Sequence, residues 1–236
     1  MSENLTRPPK LMPRLQHIKD LISPCGRLWD IGCDHGYLGV HMYLTGACQE
    51  AILTDLRAKP LAEAQKLACA YGLGPDQVTL LLGDGFAGQE AQAGDTIVIA
   101  GMGAYEIRSI LQSLDLSQDY TICLQPTWNR EVLRRYLAGQ AMIIEESLVQ
   151  DRGRTYSIFY LRRGGEKRDL SLAEAAIGEA WMADSPIYKD YLQKDPGLLY
   201  AWLAYLARVY GKRRRKDPAY APVYQEILDL LPPRIL

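Results

Sequence analysis

One stretch of sequence decides the fold of this chain: Leu28-Trp29-Asp30-Ile31-Gly32-Cys33-Asp34-His35-Gly36-Tyr37-Leu38-Gly39. A short apolar run ends at Asp30, a glycine-bearing turn follows, and the pattern predicts that a helix begins near Gly36. A strand that passes through such a turn into a helix is typical of α/β folds, where the turn presents backbone N–H groups to a ligand. The neighbouring segments of the chain narrow down which ligand fits.

The composition is that of an ordinary globular protein. The chain has 236 residues, a formal net charge of −1, 48% hydrophobic and 23% charged residues, so any surface for a nucleic acid must be a local patch. Five dispersed cysteines without a C-x-x-C pair favour a reducing compartment over disulfides or zinc. The polar N-terminus and the lack of a long apolar run predict a cytoplasmic protein without a membrane segment. We expect no metal, and a monomer.

Hydrophobic periodicity predicts five short strands, each followed by a helix, and then an antiparallel hairpin. The strands are 27–31, 51–54, 78–82, 96–100 and 120–124, and the hairpin joins 141–150 to 154–162 through a short glycine-bearing turn. Alternating strands and helices predict an α/β fold with a doubly wound parallel sheet. A seven-stranded, mostly parallel sheet with an antiparallel last hairpin is, by fold analogy, the architecture of Rossmann-like class I methyltransferases.

Strand patterns stop after residue 165. Helical periodicity is seen in 170–182, 187–193, 197–211 and 219–231, and a further helix is predicted at 11–23. The sequence therefore predicts a domain at 1–165 and a helical appendage at 166–236.

The residues that follow the predicted strands discriminate between ligands. A dinucleotide site needs a second glycine near its pyrophosphate, and this chain has Asp34 there, so a nicotinamide oxidoreductase is a distant alternative. S-adenosylmethionine has no phosphate and carries positive charge, so the carboxylates of Asp30 and Asp34 attract it. Asp55, after the second strand, is placed for a ribose diol, and Asp84, after the third, for an adenine amino group. For any single aspartate a loop or capping role is the better interpretation, but three acids at three successive strand ends favour the cofactor.

Other residues near the turn are ambiguous. His35 is more often a packing or hydrogen-bonding residue than a base, and Tyr37 either contacts the cofactor or starts the helix core. Cys33 has no identifiable base, which favours a small buried residue. The fourth strand ends in Ala100-Gly101-Met102-Gly103, without a side-chain acid or amide. That ending suits a nucleophile with an available lone pair, such as a ring nitrogen, or simply a turn that packs closely.

Several motifs together resemble the bacterial tRNA (adenine-22, N1)-methyltransferase family. They are Asp30-Ile31-Gly32-Cys33-Asp34-His35-Gly36-Tyr37-Leu38, Thr54-Asp55, Gly83-Asp84-Gly85, Ile99-Ala100-Gly101-Met102-Gly103 and Leu124-Gln125-Pro126. The resemblance implies methyl transfer from S-adenosylmethionine to N1 of an adenosine in the tRNA D-arm, by alignment and exclusion of water. Ala104 and Thr127 depart from the family pattern, and we expect a side chain at 127 to be able to reach the target base.

The predicted site follows from these motifs. The catalytic candidates are Asp34, Tyr37, Gly101 and Met102, with Asp34 expected to stabilise the cationic product. The cofactor-binding candidates are Asp30, Gly32, Cys33, Asp34, His35, Gly36, Asp55, Asp84, Gly85, Ala100 and Gly101. The alternatives are a methyltransferase for another RNA position or a small molecule, and an RNA-binding module without turnover.

A basic run in the tail is the predicted tRNA surface. It consists of Arg208, Lys212, Arg213, Arg214, Arg215 and Lys216, and Arg152, Arg154, Arg162 and Arg163 extend it. Many adjacent cations repel one another, which favours phosphate binding over a solvated helix end. The tyrosines of the tail, in contrast, have the spacing of core residues.

Overall fold

The computed structural model describes residues 7–233, so the first six residues of the polar N-terminus and the last three of the predicted appendage lie outside the described part. The strands are β1 (Cys25–Ile31), β2 (Cys48–Asp55), β3 (Val78–Leu82), β4 (Thr96–Met102), β5 (Thr121–Pro126), β6 (Met142–Asp151) and β7 (Arg154–Arg163). The helices are α1 (Pro13–Leu21), α2 (Tyr37–Leu44), α3 (Ala58–Ala70), α4 (Ala104–Leu111), α5 (Arg130–Gly139), α6 (Leu172–Ile177), α7 (Pro186–Lys194), α8 (Pro196–Arg213) and α9 (Ala221–Asp229).

All seven strands form one sheet in the order β3-β2-β1-β4-β5-β7-β6. Strands β1 to β5 are parallel to one another, and β7 is antiparallel to both β5 and β6. The predicted α/β fold with an antiparallel last hairpin is confirmed. The chain order reverses between β1 and β4, which is the topological switch point where ligands bind in open α/β sheets.

Helices cover both faces of the sheet because successive strand residues point to opposite sides. Ile97 and Ile99 pack with α4 and α5 in one apolar cluster, whereas Val98 joins the cluster formed with α1, α2 and α3. Strands buried on both faces explain why the sequence shows continuous apolar runs there rather than alternation.

The C-terminal helices share a third apolar cluster, in which Trp181, Trp202 and Leu203 are fully buried. That cluster reaches the sheet through Leu148 of β6. The predicted helix 170–182 is interrupted at Gly178, where φ is +94° and a Cβ would lie 2.7 Å from the guanidinium of Arg134. A short 3₁₀ turn, Glu179–Trp181, follows instead.

A buried ion pair ties these helices to the sheet. Arg134 of α5 donates to both carboxylate oxygens of Glu146 on β6, at 2.6 and 2.8 Å, and the two side chains are 2% and 3% exposed. The guanidinium also donates to the carbonyls of Ala175 and Ala176, and the Trp181 indole donates to Glu146 at 2.9 Å. One saturated polar network therefore connects α5, β6, α6 and the 3₁₀ turn.

No helix within residues 7–233 is both long and apolar enough to cross a bilayer.

Candidate functional site

A cavity of about 800 Å³ lies at the carboxyl edge of the sheet, on both sides of the switch point; we call it the edge cavity. Its lining contains seven of the predicted cofactor-binding residues, namely Gly32, Asp34, Asp55, Asp84, Gly85, Ala100 and Gly101. Of the catalytic candidates, Asp34, Gly101 and Met102 line it. The parallel strands thus bring residues far apart in sequence to one site.

The turn after β1 uses its backbone amides inside the protein. The N–H groups of Gly32 and Cys33 both donate to the Thr54 carbonyl, at 2.8 and 2.9 Å, and the Gly36 N–H donates to the Cys33 carbonyl. The Asp34 N–H donates to the Asp55 carboxylate at 3.2 Å. The expectation that the turn presents N–H groups to a ligand is wrong for these four amides, because three of them fasten β1 to β2 and the Gly36 N–H closes the turn on Cys33. A pyrophosphate would lack its usual donors here.

The shape of this turn depends on left-handed backbone conformations. Gly32, Asp34 and Gly36 have φ values of +69°, +52° and +71°. A Cβ at Gly36 would lie 2.7 Å from a Leu53 methyl and 2.8 Å from the Ala64 Cβ. Glycine is therefore required at 36 by both backbone and space, and Asp34 is one of the few residue types that tolerate such a φ.

Four carboxylates line the edge cavity: Asp34, Asp55 and Asp84, one at each of three successive strand ends, and Glu106, which accepts from the Gly103 N–H at 2.6 Å. Asp55 is buried and accepts from the backbone N–H groups of Asp34 and Arg57. Asp84 is exposed. The Asp34 carboxylate lies 3.7 Å from His35 Nε2 and 3.9 Å from the Arg57 guanidinium. The charge of the cavity is therefore set mainly by acids, with Asp55 held rigidly and Asp34 and Asp84 accessible.

Asp30 does not line the edge cavity, although it was predicted to bind the cofactor. It is buried and accepts a hydrogen bond from the Gly39 N–H at 3.2 Å, so it anchors the first turn of α2. Burial, together with the nearby charge of Asp55, raises the pKa of Asp30 to about 7. The structure thus gives Asp30 a positioning contact inside the protein.

Four further predicted residues also lie off the cavity lining: Cys33, His35, Gly36 and Tyr37. Cys33 is buried, and burial raises the pKa of its thiol, which agrees with its interpretation as a small buried residue. His35 and Tyr37 are exposed, with their rings 6.2 Å apart at an edge-to-face angle. Direct cofactor contact by these residues stays a prediction.

The end of β4 is a bulge rather than a simple turn. The register with β5 shifts between Ala100 and Met102, and Gly101 has a φ of +82°. The bulge turns the Met102 side chain toward Gly32, where any Cβ would overlap the methionine methyl. No acid or amide side chain is supplied by Ala100, Gly101, Met102 or Gly103, as the sequence predicted.

Thr127 is held against the end of β4. Its hydroxyl and its N–H both donate to the Met102 carbonyl at 2.9 Å, and Thr127 is absent from the lining of the edge cavity. Contact between residue 127 and the target base stays a prediction, and in the structure the Thr127 hydroxyl has an acceptor in the adjacent strand end. It secures the β4 bulge.

Arg14 and Trp128 are among the side chains of the edge cavity that sequence reasoning missed. Arg14 of α1 reaches it from the side, where its guanidinium lies 3.5 Å from the Gln125 amide oxygen and 3.6 Å from Asp151. Trp128 is 54% exposed, and its indole is so close to Gly103 that a Cβ there would lie at 2.7 Å. The position of Trp128, two residues after Pro126 at the end of β5, was the only available signal.

A second cavity, also of about 800 Å³, lies between the β6–β7 hairpin and α8; we call it the basic cleft. Trp128 borders both cavities. Of the residues predicted to bind RNA, Arg154, Arg208 and Lys212 line the basic cleft. The lining is completed by Thr127, Trp128, Arg130, Gln150, Gly153, Thr155, Tyr156, Ala201, Ala204, Tyr205 and Val209.

Arg213 has a different role from the one that the basic run suggests. Its guanidinium donates to Glu131 at 2.7 Å and to Asn129 at 2.9 Å, and it packs against the rings of Tyr210 and Tyr220. The assignment of Arg213 as an RNA-binding residue is not supported, since this side chain joins α8 to α5.

The other predicted cations lie outside the basic cleft, and Arg215 shares a separate cavity with Arg208 and Lys212. Arg214 lies 3.9 Å over the ring of Tyr224, Arg162 pairs with Glu145, and Arg215 and Lys216 are exposed outside the basic cleft. Within residues 7–233 no group of three or more His, Cys, Asp or Glu side chains is placed to hold a metal ion.

Comparison with known proteins identifies the sheet domain. A family model described as a methyltransferase domain matches residues 11–159, more than half of the chain. The chain belongs to the methyltransferase domain family. The matched segment contains every residue of the edge cavity, so the cavity lies within the methyltransferase domain.

Relatives of this methyltransferase domain protein were found by sequence and by structure. A candidate tRNA methyltransferase of Mycoplasma pneumoniae is 33% identical over 138 residues, 55% of this chain and 60% of that protein. This chain therefore spans less than two thirds of that relative's length. A candidate tRNA (m1A22) methyltransferase of Streptococcus pneumoniae is 25% identical with a TM-score of 0.73, over 94% of this chain and 100% of that chain.

A further solved structure shows the same fold. M. capricolum TrmK, in complex with S-adenosyl-homocysteine, is 22% identical with a TM-score of 0.70, over 95% of this chain and 94% of that chain. The match covers the helical C-terminal part as well as the methyltransferase domain.

Proposed function

We propose that this protein transfers a methyl group from S-adenosylmethionine to N1 of adenosine 22 in tRNA. The observation that carries the proposal is the match to the S. pneumoniae candidate tRNA (m1A22) methyltransferase over 94% of the chain. That coverage extends far beyond residues 11–159 of the general methyltransferase domain and includes the C-terminal helices. The substrate assignment therefore draws on the whole architecture, and cytoplasmic location follows from a tRNA substrate.

The edge cavity fits S-adenosylmethionine. Asp34, Asp55 and Asp84 supply negative charge for a cofactor that carries a sulfonium and an ammonium group. The four turn amides that a phosphate would need are already used inside the protein. The solved structures of the S. pneumoniae protein include one with S-adenosyl-L-methionine. Asp55 is the candidate for the ribose diol and Asp84 for the adenine amino group.

The residues around the β4 bulge suit transfer to a ring nitrogen. Bound S-adenosylmethionine supplies an activated methyl group on sulfur. Adenine N1 carries an in-plane lone pair, so no side chain has to remove a proton first, in keeping with a β4 end that offers only Gly101 and Met102. The protein contributes alignment and exclusion of water. Asp34, which is accessible, stabilises the positive charge left on the methylated base.

Trp128 is the candidate platform for the target adenine. N1 lies on the pairing edge of the base, so the nucleotide must leave its stack to react. A half-exposed indole at the border of the edge cavity and the basic cleft offers such a base a stacking surface.

The direct test is incubation of an unmodified tRNA transcript with labelled S-adenosylmethionine, followed by nucleoside mass analysis. We expect labelled 1-methyladenosine in the wild-type transcript and none in a transcript with guanosine at position 22. Label at another nucleotide would reassign the substrate position. Cofactor binding without label in any RNA would favour the RNA-binding module.

The role of Asp34 has its own test. Asp34→Asn keeps the size of the side chain but removes its charge, so we expect the single-turnover rate at saturating cofactor to fall at least roughly tenfold, about 1.4 kcal/mol. Asp76→Asn, at an exposed loop position away from both cavities, is the matched control. An unchanged rate in the Asp34 variant would show that its charge plays no part in transfer.

A further inference from the structure

Arg130, the first residue of α5, is a buried cation without an acidic partner. It is 7% exposed, and no carboxylate in residues 7–233 lies within 4.0 Å of its guanidinium. Its one hydrogen bond goes from Nη1 to the Tyr205 hydroxyl at 3.3 Å, while Nε is buried without any partner. Such a group is costly unless something neutralises it.

Aromatic rings hold the Arg130 guanidinium in place. It lies 4.7 Å from the ring centre of Trp202 and 5.4 Å from that of Tyr205, both on α8. Cation–π contacts of this kind recover part of the lost hydration but supply no negative charge. Burial accordingly lowers the pKa of Arg130. The side chain is thus rigid, desolvated and still able to donate.

The accessible part of Arg130 faces the basic cleft, which it lines together with Arg154, Arg208 and Lys212. These four cations come from α5, β7 and α8, and no aspartate or glutamate is among the lining residues. The helix α8 and the hairpin therefore concentrate positive charge around one cavity of about 800 Å³. The ligand that complements the positive charge of the basic cleft is a polyanion.

We propose that the basic cleft binds the sugar–phosphate backbone of the RNA substrate, with the buried Arg130 donating to one phosphate and Arg154, Arg208 and Lys212 to its neighbours. The inference rests on the proposed function, which it deepens by naming the RNA-binding surface. The cleft adjoins the edge cavity at Trp128, so a strand whose phosphates lie in the cleft has its bases within reach of the methyl-transfer site. Planar guanidinium groups suit phosphate oxygens, and a preordered one loses little entropy on binding.

Arg130→Met is the decisive variant, because it keeps the length of the side chain and removes the charge. We expect the tRNA dissociation constant to rise and the salt dependence of log K to become shallower by roughly 0.7 to 0.9 per lost phosphate contact. At the same time the melting temperature should stay level or rise, since an unpaired buried charge is removed. A purely structural arginine predicts the reverse, namely a lower melting temperature with an unchanged salt slope.

A second variant keeps the test independent of folding around Arg130. Arg208→Ser/Lys212→Ser changes two exposed side chains, and the salt slope should fall by about twice the single-contact value. Lys66→Met, on α3 and 72% exposed, is the matched control for loss of one positive charge. Wild-type affinity and slope in both cleft variants would overturn the proposal, and a wild-type enzyme that binds tRNA but does not methylate it would overturn only the proposed function.

Discussion

Two arginines one turn apart on α5 are both buried, yet their surroundings differ completely. Arg134 donates to the carboxylate of Glu146 and to two carbonyls. Arg130 has a tyrosine hydroxyl and two aromatic faces. Burial alone therefore does not tell whether a charge belongs to the fold or to a ligand. The number of partners already present does, because Arg134 uses four of its five N–H groups on protein acceptors and Arg130 uses one.

The same distinction applies at the edge cavity. In the β1 turn the N–H groups of Gly32, Cys33 and Asp34 donate to Thr54 and Asp55, so the turn serves as a rigid frame. The carboxylates of Asp34 and Asp84 are accessible, so they are available to a cofactor. Each cavity thus combines polar groups that have their partners within the protein with a few that remain available to a ligand. The available groups define the ligand chemistry.

The largest expected effect would come from breaking the saturated network. Arg134→Met leaves Glu146 charged and buried, and we expect a loss of about 3–5 kcal/mol in the free energy of unfolding. Arg130→Met is the comparison variant, with no loss expected. Urea denaturation of the two proteins measures the difference. Equal losses would mean that the two arginines do not differ in their contribution to the fold.

A double variant sharpens this result. Arg134→Met/Glu146→Leu removes both buried charges, so much of the stability lost in the single variant should return. The Trp181 indole, which donates to Glu146, would still lose its acceptor, so the recovery should be incomplete.

An intermediate effect is expected at the border between the cavities. Trp128→Ala removes the proposed stacking surface. We expect kcat/KM for tRNA methylation to fall by a factor that corresponds to about 1–3 kcal/mol of transition-state stabilisation, while cofactor binding is retained. Trp128→Phe is the control, since it keeps an aromatic face and should recover most of the activity. Equal activity in the alanine and phenylalanine variants would show that the aromatic ring at position 128 plays no part in binding the base.

The parts of the molecule that the sequence predicted are those set by local pattern. Apolar runs bounded by glycine and polar turns identified all seven strands, and the parallel order placed Asp34, Asp55 and Asp84 at one edge. The partners of the amides of Gly32, Cys33 and Asp34 were not predictable, because their acceptors, Thr54 and Asp55, lie over twenty residues away. Arg130 was overlooked for a similar reason, since its burial depends on the docking of α8.

Within a run of adjacent cations, sequence alone could not separate one residue from the next. Arg213 and Lys212 are neighbours, but the helix places Lys212 on the basic cleft and Arg213 against Glu131 and Asn129. Helical geometry turns consecutive residues by about 100°. The prediction of one continuous RNA-binding run therefore assigned the same role to residues on different faces.

The smallest expected effect tests this separation of neighbours. Lys212→Ala should make the salt dependence of tRNA binding shallower by roughly one phosphate contact, with the free energy of unfolding unchanged. Arg213→Ala should instead lose about 1 kcal/mol of stability, since a half-buried charge-assisted hydrogen bond to Glu131 is removed, and keep the wild-type salt slope. Urea denaturation and salt titration of both variants form a two-by-two comparison. A shallower salt slope in the Arg213 variant, measured where that protein is fully folded, would show that Arg213 contacts the RNA. A purely internal contact cannot release counterions from RNA and so cannot change that slope.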